Sequence, residues 1–202
     1  MEQTSGRLRA TSRRGIGRLP LAAAGISALL FATAASGQTM TVRVDAQSRP
    51  WSPGANPKLA FGVGDGRAPT MIVRFLPVGS KIRFEATGRV GWIDGGRAFD
   101  PDGDPDLVLD RSVTLLPSYY ISKRAGPVRL VQLVGAFVDA DGTVIGKPFA
   151  IGRKAEVEVP EGAAAISLGT NDDKFSDNFG SYDVTVYIQQ AKVTVEEPET
   201  AK

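Results

Sequence analysis

Between residues 168 and 186 the chain reads LGTNDDKFSDNFGSYDVTV, which packs the side-chain oxygens of Asp172, Asp173, Asp177 and Asn178 into one turn. Asp172 and Asp173 come first, Lys174, Phe175 and Ser176 follow, and Asp177 and Asn178 complete the set just before Gly180. Oxygens at this density suit a hard cation. Calcium fits better than zinc or copper, because every donor is an oxygen and the chain has no His and no Cys. Magnesium fits less well, since it keeps its waters and seldom takes a cage built by protein alone. The plainer alternative is an Asx-rich hairpin without metal, its Asp and Asn side chains bonding their own backbone.

Such a loop needs rigid flanks. AAAISLG before it and SYDVTVYI after it alternate apolar and polar residues with β-branched side chains, the mark of two strands. Gly180 is expected to supply the positive φ that turns the loop back. The rest of the chain repeats the pattern. TMTVRVDA, MIVRFL, KIRFEATGRV, a short run at residues 112–116, VRLVQLVGAFVD, TVIGKPFAIG and AEVEVP read as strands. Pro77-Val78-Gly79-Ser80 and Asp139-Ala140-Asp141-Gly142 read as turns. Residues 49–65 form a Pro-, Gly- and Asn-rich loop whose large apolar anchor is Trp51, and Gly135-Ala136 marks a close backbone approach. Repeats, heptads and amphipathic helices are missing from the pattern, so the expected fold is all-β: a single antiparallel β-sandwich of jelly-roll type.

Three segments are expected. Residues 1–37 read as an export signal, with Arg7, Arg9, Arg13, Arg14 and Arg18 ahead of an Ala- and Leu-rich run that ends in Ala35-Ser36-Gly37. Ser12-Arg13-Arg14-Gly15-Ile16 partly resembles a twin-arginine signal, although Gly17 stands where a second apolar residue is usual. Residues 38–195 form the sandwich, and the polar residues 196–202 a disordered tail. The leader holds five of the 24 basic residues and one of the 22 acidic ones, leaving 19 against 21 and a net of −2. The basic pI therefore belongs to the leader and gives no argument for nucleic acid. Without cysteine, an exported domain has no disulfide to staple it, a part that a bound cation can take.

A second acidic stretch, GWIDGGRAFDPDGDPDLVLD, spans residues 91–110. Asp100, Asp102 and Asp104 alternate with Pro101 and Gly103, as in Asp-x-Asp-x-Asp calcium loops, but no closing Glu and no flanking helix follow. It reads as a solvated acidic turn, as a second metal site, or as a wall of the first one.

The segment ISLGTNDDKFSDNFGSYDVTV resembles the calcium-site signature of the galactophilic (PA-I-like) bacterial lectins, a galactose-binding-domain-like family. In that family a strand ending in Asn-Asp leads through a short loop to an acid or amide pair, Gly and a last strand. PVGSKIRFEATGRVGW, FDPDGDPD and LVGAFVDADGTVIGKPFAIG are similar to its earlier landmarks, in the same order. The resemblance implies that Asp172, Asp177 and Asn178 bind calcium through side chains, and Lys174 and Trp92 through main-chain carbonyls. Sugar hydroxyls then fill the remaining coordination positions, about two in a seven-coordinate shell. It places Asp172, Asp177, Asp102 and Asp104 around the ligand, and Phe179 joins them because the Asp-Asn-x-Gly turn should expose its side chain where the family often has a small polar residue. Trp92, Phe99, Phe175 and Phe179 are the aromatic candidates to cover a pyranose face, with core packing the alternative for Phe99 and Phe175. The chain departs from the family in having Asp104-Pro105-Asp106 where galactose binders carry a His-Pro pair, and in a shorter signature loop. Galactose specificity does not follow from it.

The expected function is thus calcium-dependent carbohydrate binding, for a galactose-type or other glycan, by a protein exported to the periplasm or beyond. The alternative is a calcium-stabilised structural or adhesion module without sugar binding. An enzyme is not expected: His and Cys nucleophile systems are excluded by composition, no Gly-rich phosphate loop joins a strand to a helix, and no carboxylate pair is set up as acid and base. No nucleic acid and, after signal cleavage, no membrane partner is expected, while a homo-oligomer stays open.

Overall fold

A computed structural model describes residues 37–109, 116–122 and 126–189. Nearly all of the export signal, the C-terminal tail and most of the expected strand at residues 112–116 lie outside them. Ten strands follow in chain order. They are β1 (Gln38–Asp45), β2 (Thr70–Val73), β3 (Lys81–Gly91), β4 (Val108–Leu109), β5 (Val128–Arg129), β6 (Leu133–Val138), β7 (Val144–Ala150), β8 (Lys154–Glu158), β9 (Ala165–Thr170) and β10 (Phe179–Ile188). Single 3-10 turns stand at Pro57–Leu59 and Pro117–Tyr120. Among the described residues no helix is long and apolar enough to cross a membrane.

The strands pair antiparallel in two four-stranded sheets, β1-β10-β3-β8 and β2-β9-β6-β7, with β4 and β5 as a separate two-stranded pair. Along the chain the eight main strands switch sheet at every connection except the β6–β7 hairpin, and every main strand but β7 ends beside one distant in sequence. That is the doubly wound order of a jelly roll. The hairpin turn is fastened by Asp139, whose Oδ1 accepts the Asp141 and Thr143 N–H groups at 3.0 and 2.8 Å.

Alternation decides which side chains meet between the sheets. Ile82, Phe84, Ala86 and Val90 of β3 and Tyr182, Val184, Val186 and Ile188 of β10 face Leu133, Phe137, Ile166 and Leu168 of β6 and β9. Each large side chain buried this way contributes about 1.5–3 kcal/mol. In β6 and β9, all six residues are buried, because the outer face of that sheet is covered as well. Trp51, Phe61 and Phe175 pack on Ala136 there, and Ile121 and Val128 on Val134. The loop expected at residues 49–65 is therefore an apolar cover, anchored by a fully buried Trp51 whose indole donates to the Leu59 carbonyl at 2.9 Å. Gly135 sits at a register shift in the β6–β7 ladder, where a Cβ would press on Leu168 and the Ser167 carbonyl at 3.0 Å.

One expected strand is broken. VRLVQLVGAFVD reads as one apolar, β-branched run, yet the chain turns at residues 130–132, with Val131 at φ 54° between β5 and β6. The expected strand in MIVRFL is also shorter, pairing with β9 only over Thr70–Val73.

Candidate metal centre

The turn at residues 171–178 joins β9, whose strand is sealed on both faces, to β10, which lies between β1 and β3. Asp172 enters it 3% exposed. Its Oδ1 accepts the Asp173 N–H at 2.7 Å and the Lys174 N–H at 3.3 Å, the short-range pattern of an Asx turn. Its Oδ2 is buried and takes no hydrogen bond among the described residues, and the same is true of Asp177 Oδ1 and Asn178 Oδ1. The other Asp177 oxygen meets the Lys174 ammonium at 2.8 Å. Asn178 donates from Nδ2 to the Ala46 carbonyl at 3.1 Å, which fixes the amide and commits its oxygen to the opposite side. One loop thus holds two carboxylate oxygens and one amide oxygen that are buried and unserved. Native interiors rarely leave such groups without a donor, a water or an ion.

Burial pushes the Asp172 carboxyl up to about 7, against the lowering effect of the Lys174 N–H, the adjacent Asn178 side chain and the Asp173 N–H. An unpartnered buried carboxylate either holds its proton or finds a cation. Three unserved oxygens of this hardness fit calcium as a donor set. Among the described residues no three His, Cys, Asp or Glu side chains gather on one metal position.

The loop rests on a seat built by residues 45–67. Asp65 receives the Phe175 and Ser176 N–H groups at 3.1 and 2.9 Å. Burial alone would raise its carboxyl, but those N–H groups and the Ser176 side chain outweigh it and hold it below the ordinary carboxylate value. Val63 donates to the Asp173 carbonyl at 2.9 Å. Gln47 donates from Nε2 to the Ser176 and Asn178 carbonyls at 3.1 and 3.2 Å. Phe175, 1% exposed, packs against Phe61 at 5.9 Å between ring centres. It is a core residue, and so is Phe99 at 6% exposed.

Gly180 has φ 91°, as expected, but it lies inside β10 and not in the turn. Its requirement comes from packing, because a Cβ there would strike the Arg89 carbonyl. The β10–β3 ladder ends at Phe179 opposite Gly91, so the next residue on either chain is Asn178 on one side and Trp92 on the other. This brings Trp92 to the loop's edge. The Trp92 and Lys174 carbonyls accept no backbone hydrogen bond among the described residues and are free to act as donors to an ion. Phe179, half-buried, lays its ring over Gly91.

The second acidic loop is fastened differently. Asp100 Oδ1 accepts the Asp102 N–H at 3.0 Å, and Asp104 Oδ1 the Asp106 N–H at 3.0 Å. Asp104, 5% exposed, uses Oδ2 to accept the Trp92 indole at 3.2 Å, and its own N–H donates to the Leu130 carbonyl. Asp102 points to the β7–β8 turn, taking the Arg153 N–H at 2.8 Å and its Nε at 2.6 Å. The Tyr182 hydroxyl, 3.1 Å from the Asp100 carbonyl and 3.0 Å from that of Val131, ties this loop to the core, and burial raises its pKa. Of the two acidic ligand candidates in this loop, Asp104 reaches the signature loop through Trp92, whereas Asp102 is tied to Arg153.

Sequence reasoning missed Asp65, Gln47 and Asn171. Asn171, fully buried, holds the chain break at residues 130–132. Its carbonyl accepts the Val131 N–H at 2.9 Å, its Nδ2 donates to the Arg129 carbonyl at 2.9 Å, and its Oδ1 accepts the Ser118 N–H at 2.8 Å. The one visible hint was Gly64-Asp65-Gly66, an acid between two glycines in a loop.

Fold and site together describe a jelly-roll sandwich with an oxygen-lined loop at one end of its central strand. No protein-family profile matches the chain, and no curated protein sequence does. Among solved structures it is similar to the EclA N-terminal domain, a PllA-like lectin, at 17% identity and a TM-score of 0.41 over 74% of this chain and 95% of that one. A likeness that loose carries no residue's role from one chain to the other.

Proposed function

We propose that this protein binds carbohydrate through a calcium ion held in the turn at residues 171–178. The observation that carries the reading is the trio of buried, unserved oxygens on Asp172, Asp177 and Asn178. The Lys174 and Trp92 carbonyls would add two main-chain donors. Two carboxylates neutralise the ion, and five donors leave about two places of a seven-coordinate shell for adjacent sugar hydroxyls. Since a diol exchanges water oxygens for similar oxygens, most of the selectivity must come from the side chains around the ion. Asp172 and Asp177 can accept hydroxyl protons while holding calcium, and Trp92, Asp104 and Phe179 form the near wall. The role is binding and not catalysis. Export to the periplasm or beyond, read from the Arg-rich leader and its apolar run, belongs to the same proposal.

A thermal melt of the protein in calcium, in chelator, and in calcium with a panel of simple sugars tests it. A midpoint raised by calcium, and raised further by a sugar only when calcium is present, supports the reading. Calcium stabilisation with no sugar effect favours the structural or adhesion module. No calcium effect leaves the loop a bare turn and ends the proposal.

A further inference from the structure

Beyond the signature loop, on the far side of the loop that carries Trp92 and Asp104, lies an open cleft of about 300 Å³ lined by Arg89, Arg97, Arg129 and Arg153 together with Asp100 and Asp102. Four guanidinium groups face two carboxylates, and both carboxylates are already in use. Asp100 caps the Asp102 N–H, and Asp102 gives both oxygens to Arg153. Arg89 donates to the Ala98 carbonyl, and Arg97 lies 5.0 Å above the Phe99 ring with Asp106 at 3.8 Å. The Arg129 guanidinium has no hydrogen-bond or ion-pair partner among the described residues. Nor do the terminal nitrogens of Arg153, whose side chain bonds through Nε alone. Like charges do not collect in one cleft without cost.

Guanidinium forks match the two or three oxygens of a carboxylate or sulfate, and a pair of them on one rim grips such a group bidentately. The volume is at the lower end for small-ligand sites and suits one sugar unit. We propose that this cleft is a calcium-independent subsite for the oxyanion of an acidic saccharide, a uronate carboxylate or a sulfate ester, with Arg129 and Arg153 as its principal donors. The saccharide half rests on the carbohydrate-binding reading above; the oxyanion half does not.

The test is a glycan array carrying matched neutral, uronate and sulfated forms of the same saccharides, probed with the full chain in calcium and in chelator. Alongside it, inorganic sulfate is titrated calorimetrically. The expected result is a preference of about tenfold or more for acidic over matched neutral members at low salt, fading as salt rises. Arg129→Gln should remove most of that preference and Arg129→Lys restore part of it, with the calcium-dependent melt of both variants unchanged. Equal retention of acidic and neutral members overturns the proposal, as does a preference that survives Arg129→Gln. Inorganic sulfate binding as tightly as the sulfated sugars overturns the saccharide half. An acidic preference that persists in chelator while no neutral sugar responds to calcium supports the subsite and sinks the calcium reading instead, so the two fail separately.

Discussion

The two aspartate-rich loops look alike in composition and end up in opposite states. At residues 100–106 the carboxylates are met by the chain's own donors: the Asp102 and Asp106 N–H groups, the Trp92 indole and Arg153. At residues 171–178 the donors reach one oxygen of Asp172 and one of Asp177, and leave three buried side-chain oxygens across the loop unserved. The density of acid does not separate them. What does is whether each oxygen already has a hydrogen to accept, because only an unserved oxygen has anything to gain from an ion.

The largest effect that could break this contrast is at Asp172. Calcium at about a hundred times its dissociation constant, bound only by the folded state, is worth about 2.7 kcal/mol. That corresponds to roughly 5–10 °C in the melting midpoint for a chain of this size. Asp172→Asn should abolish the rise. In chelator at pH 7 the same variant should melt no lower than the parent, since a buried amide costs less than a buried unpartnered carboxylate. A calcium response that survives this substitution would show that the loop's unserved oxygens are not the site.

Acidity sharpens the contrast next. Asp172 holds its proton up to about 7 when folded, against an ordinary value of 3.8. Across that window the folded state carries more protons than the unfolded one, so stability in chelator should fall as pH rises from about 4 to about 7. Calcium competes with the same proton, and its stabilising effect should grow over the same range. Melts at three pH values, with and without calcium, check both slopes.

Substitutions in the second loop should act without regard to calcium. Asp104→Ala leaves the Trp92 indole and the Asp106 N–H without an acceptor, and should cost about 1–3 kcal/mol in calcium and chelator alike. Asp102→Ala removes a pair whose side chains are 64% and 30% exposed, Arg153 and Asp102 in that order, and should cost about 0–1 kcal/mol. Denaturant titrations measure both. A calcium-dependent difference at Asp104 larger than the change in chelator would draw that loop into the ion site.

The sandwich was legible where a sheet keeps one face to water; β10 buries every second residue from Tyr182 to Ile188. The chain break before β6 was not, since Leu130, Val131 and Gln132 continue the apolar, strand-like run without a Gly or Pro to interrupt it. There the hydrogen bonds from Asn171 override local preference, and nothing near residue 131 announces a partner forty positions away. The site divides along the same line. Asp172, Asp177 and Asn178 stood out because they are adjacent in the chain, whereas Asp65 and Gln47 act across the fold and carry no local mark. Gly180 was read correctly for its φ and wrongly for its purpose, because the Arg89 carbonyl that requires it belongs to another strand.

The hydrogen bonds that seat the signature loop on Ala46, Gln47 and Asp65 span between 110 and 132 positions of sequence. Contacts that distant close late, after the intervening chain has been gathered in. A chain emerging from its N-terminus therefore delivers the seat at residues 45–67 long before the loop at residues 171–178, and the two meet only once the strands between them have emerged. If the loop takes an ion as proposed, its capture would wait for that closure, a latch that cannot close on an unfinished molecule.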